Sequence, residues 1–445
     1  MRIQLSEHFT YKKLLTFVAP SIIMMVFVSI YGTVDGLFVS NFVGESAIAA
    51  INLILPLIII FGAIGFMIGT GGSALVAKTL GEGDKEKANA YFSMLVYVTF
   101  AIGVVIAVAG QFAIPPIAKL LCPKDDTETY NYCVLYGRVV LAAQPFYILQ
   151  NIFQSFFVTA EKPRLGLIVT VAAGLTNMVL DAVFVAGFNW GLAGAAAATA
   201  ASEVLGGVFP IIYFFRKNDS LLRLTKTKFY GKALLKSITN GSSEFFSNVS
   251  TAIIIMLYNY QIQKFVPGSS GVAAYGAIGY VIMIVFSVFF GYAVGCAPLF
   301  GYNYGAENKQ ELKNLYKKSI IIMTVAGFGI TILVEALSYP IVLIFGFEKE
   351  VFDMALRGLQ IYSVSFAIAG YSVFASSLFT ALNNGLISGI ISFTRTLLFQ
   401  IVAIMVVPLW LGLDGVWAAM CFAEIPSLIV AVTCILCFKK KYGYA

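Results

Sequence analysis

Long apolar stretches recur along the whole chain, and short polar connections separate them. Crossing the apolar core of a bilayer takes about 20 mostly apolar residues in an α-helix, so each stretch predicts one membrane-spanning helix. Twelve spans are predicted, over residues 13–39, 48–77, 90–114, 132–158, 165–188, 190–214, 237–262, 272–299, 316–339, 354–380, 386–409 and 413–437. No connection is long enough to form a separate domain, which predicts an all-α polytopic membrane protein.

The composition supports this interpretation. Charged residues make up 11% of the chain and the mean hydropathy is +0.88, whereas a soluble domain carries about 25% charged residues. These values exclude a water-soluble enzyme, a disordered chain and a small disulfide-stapled scaffold. No phosphate-binding loop, nucleophile triad or metal-ligand cluster is visible in the sequence, so we expect neither an enzyme nor a cofactor other than a coupling ion.

The lysines and arginines predict the orientation. With the N-terminus in the cytoplasm, 22 of the 29 basic residues fall in cytoplasmic segments, as the positive-inside rule requires. We therefore expect a multi-pass protein of the plasma membrane with both termini cytoplasmic. The net charge of +7 is then a consequence of topology and requires no nucleic-acid partner.

The two halves of the sequence repeat each other. Segment 80–85 returns as 304–309, and segment 191–203 returns as 412–424, displaced by 224 and 221 residues. Each half holds six predicted helices, and because six is even, both halves run in the same direction. This predicts two six-helix bundles related by a parallel repeat, with a cavity between them. The expected divisions are an N-terminal bundle over 1–218, a cytoplasmic linker over 219–236 and a C-terminal bundle over 237–445.

Carboxylates inside the predicted spans are candidate functional groups. A charged side chain at the bilayer centre costs at least about 2.5–3.5 kcal/mol, so it usually faces a cavity or a partner. Six acids lie in or at the edges of the spans: Asp35, Asp181, Glu203, Glu244, Glu335 and Glu424. Their excess over bases favours a cationic cargo or coupling ion.

Asp35 and Asp181 are predicted to form a cation site in the first bundle. Asn177 lies one helical turn before Asp181 on the same face, and Thr199 falls at a comparable depth in the sixth span. Two carboxylates, an amide and a hydroxyl suit a Na⁺ ion, and two close acids equally suit a shared proton. The alternative is that these acids only bond neighbouring helices together.

Other polar or bent positions carry weaker predictions. Glu244, near the start of the seventh span, is either a cavity acid of the second bundle or an interfacial residue. Glu203 shares the helix face of Thr199. Pro20 lies inside the first span, where the missing backbone hydrogen bond favours a hinge. Arg395 has no acid nearby in the sequence, which predicts a distant structural partner or snorkelling to the surface.

The pattern resembles the multidrug and toxic compound extrusion (MATE) transporters over essentially the whole chain. The resemblance rests on the twelve spans in two repeats, Pro20 and Asp35 in the first helix, the Gly-Glu-Gly-Asp loop at 81–84, and Asn177-x-x-x-Asp181 followed by Thr199. The Asn-Gly-Ser-Ser-Glu sequence at 240–244 is similar to the MepA-type bacterial branch.

The resemblance implies an antiporter that expels small lipophilic cationic drugs by alternating access while Na⁺ or H⁺ flows inward. The family's ion site corresponds to Asp35, Asn177, Asp181 and Thr199, with Tyr136 as a further member. Tyr31 is similar to a family cavity residue, and Gln154 stands where the family has an asparagine. Together with Glu203 and Glu244, these two are expected to line the substrate cavity. The lipid bilayer is the expected surrounding, and a monomer is expected.

Two other functions remain open from the sequence. A lipid-linked oligosaccharide flippase shares a related two-bundle fold, but its anionic pyrophosphate cargo calls for arginines in the cavity, where this sequence places acids. A passive channel or receptor is the second alternative, and flux that does not depend on an ion gradient would identify a channel.

Overall fold

The computed structural model describes residues 3–43, 45–122, 126–268 and 270–444, with the side chains of 33–41 and 45 left out. All regular secondary structure in these residues is helical. The helices are α1 (Tyr11–Phe42), α2 (Glu45–Gly81), α3 (Lys85–Leu121), α4 (Thr127–Thr159), α5 (Pro163–Asp181), α6 (Gly191–Phe215), α7 (Gly231–Phe265), α8 (Ser270–Gly305), α9 (Lys309–Leu343), α10 (Lys349–Ser363), α11 (Phe366–Ala381), α12 (Gly385–Phe393), α13 (Phe399–Val406) and α14 (Pro408–Tyr442). The all-α prediction is confirmed.

Most of these helices are long and apolar enough to cross a membrane. Ten spans meet that description among the described residues, and the bent pair α10 and α11 makes an eleventh. The predicted seventh span, α7, is long enough but not apolar enough to be counted, because serine, threonine and asparagine side chains interrupt its apolar residues. It is nevertheless packed against α2, α12 and α13.

The polar side chains of α7 are bonded to the helices beside it. Asn240 Nδ2 donates to Asn383 Oδ1 at 2.7 Å, and the hydroxyls of Ser247 and Ser392 lie 2.8 Å apart. Because neighbouring segments of the second bundle supply these partners, the side chains of Asn240 and Ser247 meet protein rather than lipid. Helix α7 therefore completes the twelve spans although its composition alone does not indicate one.

Three predicted spans are not the straight helices that their apolar runs indicate. A π-helical segment, Ala182–Gly187, follows α5 directly, and another, Thr394–Leu398, joins α12 to α13. The predicted span 354–380 is bent by 51° between α10 and α11. Apolar periodicity does not reveal these breaks because they change backbone hydrogen bonding without changing composition.

The two bundles meet closely on the membrane side that carries both chain termini. A Cβ on Gly241 of α7 would lie 1.8 Å from the carbonyl oxygen of Met67 in α2, and one on Gly71 would lie 2.0 Å from that of Ser237. Glycine alone permits this backbone approach. On the same side, the amino-terminal segment joins the bundles, since Leu5 N–H donates to Glu161 Oε1 at 2.8 Å and Phe9 N–H donates to Glu311 Oε1 at 3.0 Å.

We expect Gly241→Ala to separate α2 from α7 on this side of the membrane, because the new methyl group has no room against the backbone of Met67. Spin labels at the exposed positions Glu82 and Glu307, in the loops after α2 and α8, should show a longer and broader distance distribution. Gly329→Ala is the matched control, since nothing lies within 4 Å of a Cβ there. An unchanged distribution in Gly241→Ala would show that this contact does not hold the bundles together.

An extended segment, residues 216–230, connects the bundles and lies on the surface of the first bundle; we call it the strap. It follows α6, and α7 begins at Gly231, earlier than the predicted end of the linker at 236. Arg223 N–H donates to Asn89 Oδ1 and Thr225 N–H to Ser93 Oγ, each at 2.8 Å, which fixes the strap along α3. The hydrogen bond from the Lys162 ammonium holds the pKa of Asp219 below its usual range. The division at 218 and 236 stays a prediction.

Candidate functional site

Two predicted cation-site residues lie buried on one face of α5. Asn177 is 2% exposed and Asp181 is 0% exposed, and they stand one turn apart at the end of the helix. The π-helical segment starts at the residue after Asp181. Because π-helical segments in α-helices are frequent at functional sites, the backbone supports the sequence-based interest in Asp181.

The neighbouring helix α6 adds Thr199 to this region. The Asn177 Nδ2 and Thr199 Oγ1 atoms are buried, and neither has a hydrogen-bond partner among the described residues. Buried polar groups in folded proteins are normally paired, so donors and acceptors left over at one level suit a bound ion or water. The side chain of Asp35, the fourth predicted member, lies outside the described residues, although α1 runs through this position.

Two aromatic residues named by the resemblance surround the same part of the first bundle. Tyr136 is buried in a cluster that contains Val185, one turn after Asp181, and Ala196, one turn before Thr199. A Cβ on Gly174 would lie 3.1 Å from Tyr31 Cδ1, so the Tyr31 ring packs on α5 one turn before Asn177. The structure thus brings both tyrosines to the helices that carry the predicted cation site.

Glutamine and asparagine side chains line the buried length of α4. Gln154 is 4% exposed, and its Oε1 has no hydrogen-bond partner among the described residues. Asn151 Nδ2 donates to the Gly62 carbonyl oxygen at 3.3 Å, and both amide atoms of buried Gln144 lack a partner in the described part of the chain. Sequence reasoning missed Gln144, Gln150 and Asn151, although three further amides in an apolar span were a visible signal.

Glu203 lies inside the first bundle. It is 6% exposed on α6, which packs along α4. Neither Glu203 nor Tyr31 nor Gln154 is among the described lining residues of the two cavities below. Their assignment to the substrate cavity stays a prediction.

A small cavity lies between the bundles and contains Glu244. It has a volume of about 20 Å³, which is room for roughly one water molecule. Thr70, Ser73 and Ser155 line it from the first bundle, while Glu244 and Thr380 line it from the second. Of the two alternatives for Glu244, the structure favours a cavity acid over an interfacial helix-start residue.

A larger cavity of about 420 Å³ opens in the second bundle and adjoins the small one at Phe290, which lines both. Its volume is in the range of about 300–1,000 Å³ that is usual for ligand sites. Tyrosine and phenylalanine rings dominate its wall: Tyr258, Tyr275, Tyr280, Phe286, Phe290 and Tyr362. The rings of Tyr258 and Tyr275 stack with centroids 4.8 Å apart. Such a wall suits flat aromatic compounds.

The one cation among the described residues of this wall is Arg395, which lies in the π-helical segment between α12 and α13. Arg395 Nε donates to Glu424 Oε1 at 2.9 Å, with the two side chains 6% and 1% exposed. The snorkelling alternative for Arg395 is therefore wrong, and a partner from α14 neutralises it. The sequence alone does not predict this pair, because the two residues are 29 positions apart on different helices.

Pro20 is buried within α1, which continues as a helix through it. The same stretch of α1 packs tightly against α8, since a Cβ on Gly295 would lie 2.1 Å from Val18 Cγ1 and one on Gly291 would lie 2.5 Å from Ile22 Cα. A bend at Pro20 would move these contacts between the bundles. The hinge role of Pro20 stays a prediction.

In the described residues, twelve spans in two like bundles, with buried carboxylates and a small cavity between the bundles, define a helical membrane transporter fold. The chain belongs to the MatE family, whose model matches residues 20–183 and again 244–406, once in each half.

Relatives and solved structures agree with this assignment along the full chain. The "Multidrug export protein MepA" of Staphylococcus haemolyticus is 26% identical over 436 residues, covering 98% of this chain and 95% of the relative. The protein of the same name from Staphylococcus saprophyticus is 25% identical, covering 97% and 94%. A crystal structure of MATE in complex with MaL6 matches with a TM-score of 0.91 at 23% identity and covers 98% of each chain. The expected resemblance and the two-bundle fold are confirmed.

Proposed function

We propose that this protein is a multidrug efflux antiporter that exports small lipophilic organic cations in exchange for H⁺ or Na⁺. Its relatives carry the name multidrug export protein. The observation that carries the proposal is the separation of two acidic positions: Asp181 lies fully buried inside the first bundle, and Glu244 lies at the cavity between the bundles.

Separate acidic positions fit the energetics of antiport. Coupling requires the ion and the drug to change each other's binding through two states of the protein. An ion bound at Asp181 and Asn177 neutralises charge inside the first bundle, while a drug cation is attracted to Glu244 beside the aromatic wall. One charge moving inward at 100 mV supplies about 2.3 kcal/mol for the cycle.

The contacts between the bundles support alternating access. The glycine contacts of α2 with α7 hold the two bundles together on the side of the chain termini. The larger cavity lies toward the other side of the membrane. With the termini in the cytoplasm, as the basic residues predict, this arrangement is open toward the outside. Release of α2 from α7 and a bend at Pro20 would expose the cavity to the cytoplasm.

The flippase alternative receives less support. Its pyrophosphate cargo would require several cations in the cavity, and the described wall offers only Arg395, already paired with Glu424. A single neutralised guanidinium does not balance a pyrophosphate.

Ethidium efflux from right-side-out membrane vesicles tests the proposal and identifies the ion. We expect efflux to follow either an imposed pH gradient or an imposed Na⁺ gradient, each applied with the other ion balanced. Vesicles without the protein are the control for passive loss of the dye. Efflux at equal rates with and without both gradients would reject the antiporter in favour of a channel.

A further inference from the structure

Two grooves adjoin each other on the surface of the first bundle, on the membrane side that carries both chain termini. The α5 groove has a volume of about 510 Å³ and is lined by residues 161–165 and 168, together with parts of the amino-terminal segment and α1. The α6 groove has a volume of about 580 Å³ and is lined by residues 209, 212, 213 and 216–219. Tyr213 and Asp219 belong to both walls, so the grooves form one continuous feature across α5, α6 and the strap.

The walls of the two grooves carry four basic side chains. Lys162 and Arg164 line the α5 groove, and Arg216 and Lys217 line the α6 groove. The last three are exposed, and no acid among the described residues forms an ion pair with any of them. Their charge is therefore available to an anion that enters the grooves.

The two acids of these walls already have partners in the protein. Asp219 accepts a hydrogen bond from the Lys162 ammonium at 2.5 Å, which neutralises the fourth base. Glu161 is 8% exposed, and its Oε1 accepts the Leu5 N–H at 2.8 Å. Four bases against two acids leave a net positive charge, which the three unpaired bases carry.

Exposed apolar side chains continue each groove toward the centre of the bilayer. Ile168 lies one helical turn after Arg164 on α5, and Ile212 lies one turn before Arg216 at the end of α6. Phe209 lies a further turn into the span. Because one turn advances about 5.4 Å along a helix, each arginine stands directly beside an apolar surface. This order of residues matches a ligand with an anionic head and an apolar chain.

The backbone that presents Arg216 and Lys217 is held in one conformation by Asn218. Its Nδ2 donates to the carbonyl oxygens of Tyr213 at 3.2 Å and Arg216 at 3.1 Å, and its Oδ1 accepts the Ser220 N–H at 3.0 Å. The turn after α6 is thus organised before a ligand arrives, which lowers the entropic cost of binding. Arginine side chains bind phosphate oxygens through their paired N–H donors.

We propose that the two grooves form a binding site for an anionic phospholipid of the leaflet on the side of the chain termini. Arg164, Arg216 and Lys217 bind the phosphate of its headgroup, and an acyl chain lies along Ile168 and Ile212. The basic residues of the chain predict that this side is cytoplasmic, where basic pockets beside membrane helices suit such headgroups. The apolar surface favours a lipid over a soluble phosphate compound, which would gain nothing from covering it.

Titration of the purified full-length protein in detergent with palmitoyl-oleoyl phosphatidylglycerol, followed by native mass spectrometry, tests this proposal. Phosphatidylcholine with the same acyl chains is the zwitterionic reference, and we expect it to bind more weakly. Arg164→Gln with Arg216→Gln and Lys217→Gln should weaken phosphatidylglycerol binding by at least about tenfold. Arg216→Gln alone should weaken it by about fivefold, which is the contribution of one base near an anionic membrane surface.

Lys313→Gln with Lys317→Gln and Lys440→Gln is the matched control, because it removes three exposed bases from the same membrane side of the second bundle. An equal loss in this control would show a general attraction between charges and would overturn the site. Equal binding of the two lipids by the wild-type protein would overturn it as well.

A soluble headgroup separates the lipid from a free phosphate compound. Glycerophosphoglycerol carries the phosphodiester of phosphatidylglycerol without its acyl chains, and we expect it not to displace the lipid at equal concentration. Displacement would overturn the lipid assignment and identify the grooves as a site for soluble phosphate compounds. None of these measurements involves transport, so their outcome is independent of the proposed efflux function.

Discussion

Replacing Asp181 with asparagine should reduce the rate of ion-driven ethidium efflux by more than about tenfold, which corresponds to a barrier at least about 1.4 kcal/mol higher for the transport cycle. Asp181 is 0% exposed and shares its helix face with Asn177. Asparagine has nearly the same shape as aspartate but cannot take up a proton or neutralise Na⁺. The measurement is the initial efflux rate in vesicles under each gradient, with the amount of protein in the membrane determined by immunoblotting.

Asp219→Asn provides the matched control for this result. Asp219 is an aspartate of the segment that connects the bundles; it is 72% exposed and pairs with Lys162 on the surface. Exposed ion pairs contribute about 0–1 kcal/mol, so its removal should leave efflux near the wild-type rate. Full ion-driven efflux by Asp181→Asn would reject Asp181 as a coupling residue and would leave the first-bundle acids with a structural role.

The second large effect is expected on stability, at Arg395 and Glu424. Arg395→Gln alone or Glu424→Gln alone should each destabilise the protein by about 3–5 kcal/mol, because each leaves one buried charge without its partner. The double variant should recover most of this loss, since it removes both charges. Unfolding of the purified protein in detergent, followed by circular dichroism and analysed as a double-mutant cycle, gives the coupling energy.

The exposed pair Arg357 and Asp414 serves as the reference, because removing either partner there should cost no more than about 1 kcal/mol. Small and additive effects at Arg395 and Glu424 would show that water or lipid headgroups reach the pair.

Much of the candidate site was predictable, because buried charges are rare in apolar spans and therefore conspicuous. Asn177 and Asp181 were identified from their four-residue spacing, and the structure buries both on one face of α5. Glu244 was also identified, but its sequence position allowed two environments, and only the packing of α2, α4 and α11 around it shows a cavity.

Other parts of the site were beyond the sequence. The pairing of Arg395 with Glu424 depends on how α14 packs beside the π-helical segment, and no local pattern encodes that approach. The aromatic rings of the larger cavity come from α7, α8 and α10. Phenylalanine and tyrosine are common throughout this chain, so composition does not distinguish those that line a cavity from those that face lipid.

The amino-acid sequence by itself determined the membrane environment, the helical architecture and the internal repeat. The reason is that lipid offers no hydrogen-bond partners, so that every long apolar stretch must form a helix with its own backbone bonds satisfied. Only the tertiary structure decided which polar side chains meet. It placed the polar face of α7 against protein, brought Arg395 to Glu424 and let the glycines of α2 and α7 touch, because such contacts join helices far apart in the chain.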